Sequence, residues 1–390
     1  MRKPIKAIRF LPLFILLPIL LACNLPQWSQ DTSISATNKE DTTRRPYPTN
    51  LTTSVDRQLL RQIKGLGDIF AENKIWKGYD YRTYPQYLVH VTKEGPDRAF
   101  LINPPFLPEK AILLGENENQ GLDNVYRYDG RMQDAYNYLF GPNGNEVFTF
   151  NFQIGIQAYY TQAYTDDLSA GMNDPSMTVS YSTHELFHRF QDEWEWVPDS
   201  KQDFDNFPIT AELLELQILC QEVLKDLPDS RLDQQQIRAL LQQYVAIRSR
   251  EMQLDPTPDQ LIKNHELYQE QMEGSARYIE VMSNQQFFSA QDYEARFGYS
   301  LLEFWVESKE DVRGLVGQSA YYGTGGSAIY LLHRLGISIE EMQLGKTPYQ
   351  LASDYLQMSA DDLESALQKA YSHPKMEEIR DKVKAWIALK

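Results

Sequence analysis

Cysteine is almost absent from this chain: Cys23 and Cys220 are the two among 390 residues, too few for a disulfide framework. Basic residues are also in deficit, 38 Lys and Arg against 54 Asp and Glu, for a formal net charge of -16. That balance argues against a nucleic-acid partner, whose binding is led by cations on phosphate, and against electrostatic attraction to anionic lipid. The main apolar run, Ala7 to Ala22, is short for a transmembrane helix, which needs ~20 residues. Phosphate-binding patterns fail on inspection. Gly345-Lys346-Thr347 has Glu340 where a P-loop requires its first glycine, and Gly323-Thr324-Gly325-Gly326 follows no strand pattern, so it is no dinucleotide fingerprint. A nucleophile elbow is missing, and Cys220 lies among Ile218, Leu219 and Val223, the setting of an inert buried thiol.

What is present begins at the first residue. A basic start (Met1 to Lys6), the apolar run and Leu20-Leu21-Ala22-Cys23 have the form of a secretory signal over residues 1–22. Leu-Leu-Ala-Cys resembles the bacterial lipobox, which implies that Cys23 becomes the lipidated first residue of the mature chain. The plainer alternative is an ordinary signal peptide that contains a cysteine. With Cys23 lipidated, Cys220 is the sole remaining thiol and an intramolecular disulfide is impossible. Loss of Arg2, Lys3, Lys6 and Arg9 then takes the net charge from -16 to near -20. Residues 23–54 are rich in Ser, Thr, Asn, Gln and Pro, a composition that cannot bury enough surface to order itself, and read as a tether. The expected location is extracytoplasmic, lipid-anchored to a bacterial membrane. Asn24 is not the Asp of an inner-membrane retention signal, which leans toward the outer membrane or cell surface.

About 335 residues remain, enough for one large domain or two intimate subdomains. Ser54–Ala71 carries apolar residues at helical spacing. Strand patterns follow at Gln86–Thr92 and Arg98–Ile102, joined by a hairpin connection over Lys93–Asp97, then at Lys110–Leu114 and Glu146–Ile154. Beyond Met177 the spacing is helical around 178–195, 209–226, 232–252, 258–283, 318–335 and 360–389, with Thr257-Pro258 as a cap followed by proline at the first helical position. Strands followed by helices predict an α+β fold: residues 55–176 an α/β region with antiparallel strands, residues 177–390 a mainly helical, catalytic region.

Within the first of the later helices stands His184-Glu185-Leu186-Phe187-His188, an HExxH motif. Residues four apart on a helix share a face, so both imidazoles can meet one Zn2+ while Glu185 reaches a water beside it. Leu186, Phe187 and Phe190 can bury the helix. The bland alternative is a pair of solvated histidines on an amphipathic helix. A third ligand is required. The metzincin pattern needs Gly at 191 and His at 194, where this chain has Gln191 and Trp194. Candidates are Glu212 and Glu215 in the next helix, or a carboxylate further on, of which Glu273 is the best. It heads Glu273-Gly274-Ser275-Ala276-Arg277-Tyr278, where a glycine costs helix stability, about 1 kcal/mol relative to alanine, and small residues suit a close second helix.

Here the chain resembles the gluzincin clan of zinc peptidases, in which HExxH is followed on a later helix by a Glu in an EGxA-type segment. The resemblance covers roughly residues 178 to 335. It implies a zincin-like fold there, Zn2+ on His184, His188 and Glu273, Glu185 as general base, and a peptide or protein substrate. In some relatives an acid four residues after the third ligand orients a zinc-bound histidine; here that position is Arg277, so the orienting acid must come from elsewhere. Glu280, then Glu212, are the fallback ligands. A phenol can serve as donor to the developing oxyanion, and Tyr322 or Tyr321, before a glycine-rich helix entry, is the candidate, with a merely packed aromatic as the alternative. His333 reads as structural or surface. The rival function is an extracytoplasmic lipoprotein that binds a ligand or partner through a degenerate or structural zinc site.

Overall fold

The computed structural model describes residues 50–390 apart from 73, 143, 145–146, 172–173 and 196–205. The signal segment, Cys23 and all but the end of the tether lie outside the described residues. Along the chain come α1 (Ser54–Ala71), β1 (Gln86–Thr92), β2 (Gly95–Ile102), β3 (Ile112–Leu113), β4 (Val125–Arg127), α2 (Met132–Phe140), β5 (Phe148–Ile154) and β6 (Gln157–Tyr164). A short ribbon, β7 (Ser169–Gly171) and β8 (Asp174–Met177), leads into α3 (Thr178–Gln191). Then follow α4 (Ala211–Leu224), α5 (Gln234–Leu254), α6 (Leu267–Phe287), α7 (Lys309–Gly314), α8 (Ala320–Arg334), α9 (Pro348–Leu356), α10 (Ala360–Tyr371) and α11 (Met376–Ile387). The class is α+β, as the order of strand and helix patterns required.

Two compact units divide these elements. The first, from Pro85–Leu114 and Asn124–Pro175 together with the chain leading to Thr53, holds a six-stranded mixed sheet in the order β3-β4-β2-β1-β6-β5. Strand β1 is buried along almost its whole length because it lies inside the sheet, antiparallel to β2 and parallel to β6. A parallel pair needs a crossover, and α2 lies within it. Its Ala135 and Leu139 join Tyr87, Val89, Leu101, Phe152 and Tyr159 in one apolar core. The hairpin between β1 and β2 is tighter than the sequence suggested. Strand β2 starts at Gly95 and tolerates Pro96 because the register shifts after His90, and proline in a sheet is confined to such irregularities or to edges. Lys110–Leu114 contributes two strand residues rather than five.

The second unit gathers Ser54–Tyr84, Gly115–Asp123 and Ser176–Lys390. A single cut near residue 177 therefore does not describe the body, since α1 and the segment after it group with the later helices. The aromatic residues Trp76 and Tyr79 pack edge-on against Phe187 of α3, Trp76 also stacks on Trp194, and the Tyr79 hydroxyl donates to the Thr183 carbonyl at 3.0 Å. The helix expected from Pro258 starts later. Thr257 Oγ1 accepts the Leu261 N–H at 2.8 Å, and a π-helical turn, Ile262–Glu266, precedes α6. The pattern over 360–389 is two helices, broken next to Pro374. Among the described residues no helix is long and apolar enough to cross a membrane.

Helices α6 and α8 meet at their glycines. A Cβ on Gly274 would stand 2.6 Å from the Gly325 Cα, and one on Gly325 would stand 2.7 Å from the Glu270 carbonyl oxygen. One turn away a fully buried ion network ties the same helices to α5. Arg248 bonds Glu270 at 2.8 Å, Glu251 at 2.6 Å and Thr324 Oγ1 at 2.7 Å. Gly274→Ala and Gly325→Ala should each destabilise the fold by about 1–3 kcal/mol, the usual cost of overpacking. Gly314→Ala, in α7 with open space around it, should be neutral or stabilising by up to ~1 kcal/mol. Urea denaturation of the three variants checks this; equal effects would remove the steric argument.

Candidate metal centre

Helix α3 buries Val179, Leu186 and Phe187 on its apolar side and thereby turns the face bearing His184 and His188 toward α6. There one ligand atom from each of His184, His188 and Glu273 lies within 4.8 Å of the others, a possible metal-binding triad. Glu273 Oε2 stands 3.4 Å from His184 Nε2 and 3.3 Å from His188 Nε2. The structure brings together the three residues that the resemblance implied. Glu273 owes its reach to Gly274 and Gly325, because their missing side chains let α6 sit deep against α8.

The opposite ring nitrogens are also occupied. His184 Nδ1 faces Glu280 Oε2 at 3.3 Å, and Arg277 Nη1 holds the other oxygen of Glu280 at 2.6 Å. Arg277 is itself fixed by the carbonyls of Phe297 and Arg296, at 3.0 and 2.8 Å. His188 Nδ1 faces Gln191 Oε1 at 2.6 Å. The Gln191 amide is oriented by donating to the Met272 carbonyl at 2.8 Å and to Ser275 Oγ at 2.7 Å. Both Nδ1 atoms thus meet acceptors and must carry their hydrogens when the rings are neutral. Each Nε2 then presents a lone pair toward the Glu273 carboxylate. Three acceptors converging in a buried space need a cation or extra protons between them, and two imidazoles with one carboxylate are a donor set suited to a divalent transition metal.

The protonation energetics show the same need. Burial pulls the His184 imidazole down, but hydrogen bonds to Glu273 and Glu280 outweigh it and lift it to about 10. His188 is raised as well, burial being overcome by the charge of Glu273. Burial would raise the Glu273 carboxyl, yet the neighbouring histidines hold it far below the usual range. Burial raises Glu185, against the opposing charges of His184 and His188.

Other sequence candidates fall elsewhere. Glu280, a fallback ligand, stands on the Nδ1 side of His184, away from the triad, and supplies the orienting acid that Arg277 could not. Glu212 is exposed on α4, and its neighbour Glu215 pairs with Arg380 at 3.8 Å. The Tyr322 ring lies nearly parallel to the His184 imidazole, 7° apart with centroids at 5.8 Å. Tyr321 points the other way. It is fully buried, its hydroxyl accepts from Gln217 Nε2 at 2.6 Å and its ring sits 4.6 Å from the Arg248 guanidinium. Its packing against that network accounts for its position, so the alternative of a packed aromatic holds for it. His333 is exposed, with Nδ1 against the Tyr278 hydroxyl. Sequence reasoning missed Gln191. The i, i+3 spacing from His188 was its one local signal.

No protein-family model, curated protein or solved structure matches this chain.

Glu280→Gln and Gln191→Ala should each weaken divalent-metal affinity by about 10–100-fold without changing the one-ion stoichiometry, the usual effect of removing a hydrogen-bond partner behind a ligand. Competition against a chromophoric chelator measures both. Complete loss of binding in Glu280→Gln would make Glu280 a ligand.

Proposed function

We propose that this chain is a zinc-dependent peptide-bond hydrolase of gluzincin type, exported and held on a bacterial membrane by lipid on Cys23. The observation that carries the reading is the convergence of His184 Nε2, His188 Nε2 and Glu273 Oε2 beside the buried Glu185. Zn2+ held by those three atoms supplies Lewis acidity toward a scissile carbonyl and toward a water.

The residues divide the remaining work. Glu185 accepts a proton from the attacking water and returns it to the leaving amine. Its burial raises its carboxyl, against the opposing charges of His184 and His188, and a raised carboxylate is the stronger general base. Glu280 and Gln191 fix the two imidazole tautomers, so the site is organised before substrate arrives. Tyr322, whose ring lies alongside His184, is the residue we assign to offer a phenol to the oxyanion that develops on the attacked carbonyl. The HExxH and EGxA segments and the lipobox support the class and the location.

Elemental analysis should find about one zinc per chain in wild type and sharp loss in His188→Ala and Glu273→Ala. Glu185→Gln should keep its zinc and lose peptidase turnover by about 10²–10⁴-fold. Tyr322→Phe should lower kcat by roughly 10²-fold, whereas Tyr321→Phe should spare kcat and reduce stability. Full turnover in Glu185→Gln would overturn the mechanism. Stoichiometric zinc with no hydrolysis of any peptide mixture would favour a lipoprotein whose zinc is structural.

A further inference from the structure

In the strand-rich unit two segments at one end of the sheet carry no charge, although the exposed Arg131–Asp134 pair borders them, Arg131 lying against Phe152 and the Gln153 carbonyl. The chain from Ala99 to Pro108 and from Val147 to Tyr164 contains no Asp, Glu, Lys, Arg or His, within a protein of net charge -16. These two segments meet. Strand β2 ends at Ile102, and the β5–β6 turn lies at the same end of the sheet, because β2 runs antiparallel and β6 parallel to β1. The Phe106 ring reaches across to that turn, 3.0 Å from where a Cβ on Gly155 would be. At this tip Ile156 is 95% exposed, Leu107 60% and Phe106 38%. Large apolar side chains so fully exposed, on two adjacent loops, form a patch without a partner in the unit.

The backbone of the tip is adapted in the same direction. Pro104, Pro105 and Pro108 flank Phe106-Leu107, and proline has no N–H to desolvate. Entry into a lipid headgroup region costs most for charges and unpaired backbone donors. The first are missing from the two segments themselves, the bordering Arg131 being paired with Asp134, and the second are few.

We propose that this tip (Phe106, Leu107 and Ile156) is a shallow docking surface for the bilayer that carries the chain's own lipid anchor, the apolar residues entering the headgroup–acyl boundary as monotopic proteins do. The inference rests on the anchoring reading of Cys23. Chain length and its end point make the bilayer the occupant. Residues 24–49 can span at most about 90 Å at ~3.3–3.6 Å each. Leu51 then belongs to this same unit, its carbonyl receiving Arg127 Nη1 of β4 at 3.0 Å. The unit that presents the apolar tip is therefore the one tied most directly to the membrane. The lack of charge in the two tip segments fits a zwitterionic surface rather than an ionic partner.

The test uses the full-length lipidated protein in phosphatidylcholine and phosphatidylethanolamine vesicles, with a fluorophore on Ile156→Cys or, as control, on Lys93→Cys. Residue 93 is exposed in the β1–β2 turn at the other end of the sheet, and Cys220 is buried and escapes labelling. Brominated lipid should quench the label at 156 at least twofold more than the label at 93, and aqueous iodide should do the reverse. Equal quenching at both positions would overturn the proposal. Shielding of 156 from iodide without quenching by lipid would also overturn it and would point to a protein on the patch. Failure of the chain to float with vesicles would instead remove the anchoring reading, and this inference with it.

Discussion

The His184–His188–Glu273 cluster depends on how closely α6 can approach α8. Gly274, Gly325 and Gly326 remove the side chains that would hold the two helices apart. The buried bonds of Arg248 to Glu270 and Thr324 then fix their relative rotation. Glu273 immediately precedes the first of these glycines, and Tyr322 precedes the others by about one turn. The contact therefore sets both the carboxylate and the phenol against His184. A buried ion network is weak evidence of net stability, since desolvation offsets its Coulomb gain, but removing one partner alone is costly. Its position beside the glycine contact makes it a device for alignment rather than for adhesion.

Around that frame the two histidines are held from behind by unlike partners. His184 is oriented by a carboxylate that an arginine clamps to the backbone, His188 by a neutral amide that is itself doubly anchored. A carboxylate behind one ring makes that ligand more basic than the other, so the pair is asymmetric electronically as well as in burial. Arg277 gains a clear role from this. In sequence it looked like the loss of an orienting acid; in space it restrains the acid that replaces it one turn further on.

A single helical spacing rule carried much of the reading. It identified α1 with its observed ends and located α3 and α6, while the resemblance of the EGxA segment linked Glu273 to the HExxH residues across 84 intervening positions. It was less reliable where backbone chemistry departs from a repeating pattern. Pro96 sits inside a strand because a register shift accommodates it. Pro374 divides what looked like one long C-terminal helix. Thr257 binds the first turn of a helix that begins after Pro258 rather than at it.

By itself the sequence determined the α+β class, the face shared by His184 and His188 and the small residues beside Glu273. All of these are local: they follow from side-chain period, size and charge over a few residues. Only the tertiary structure decided that Glu280 stands behind His184 and Gln191 behind His188. It also decided that Tyr322 and not Tyr321 faces the imidazole, and that α1 belongs with the later helices. Those choices turn on the rotation of one packed helix against another, and such angles are set by contacts between residues far apart in the chain, which no local spacing encodes.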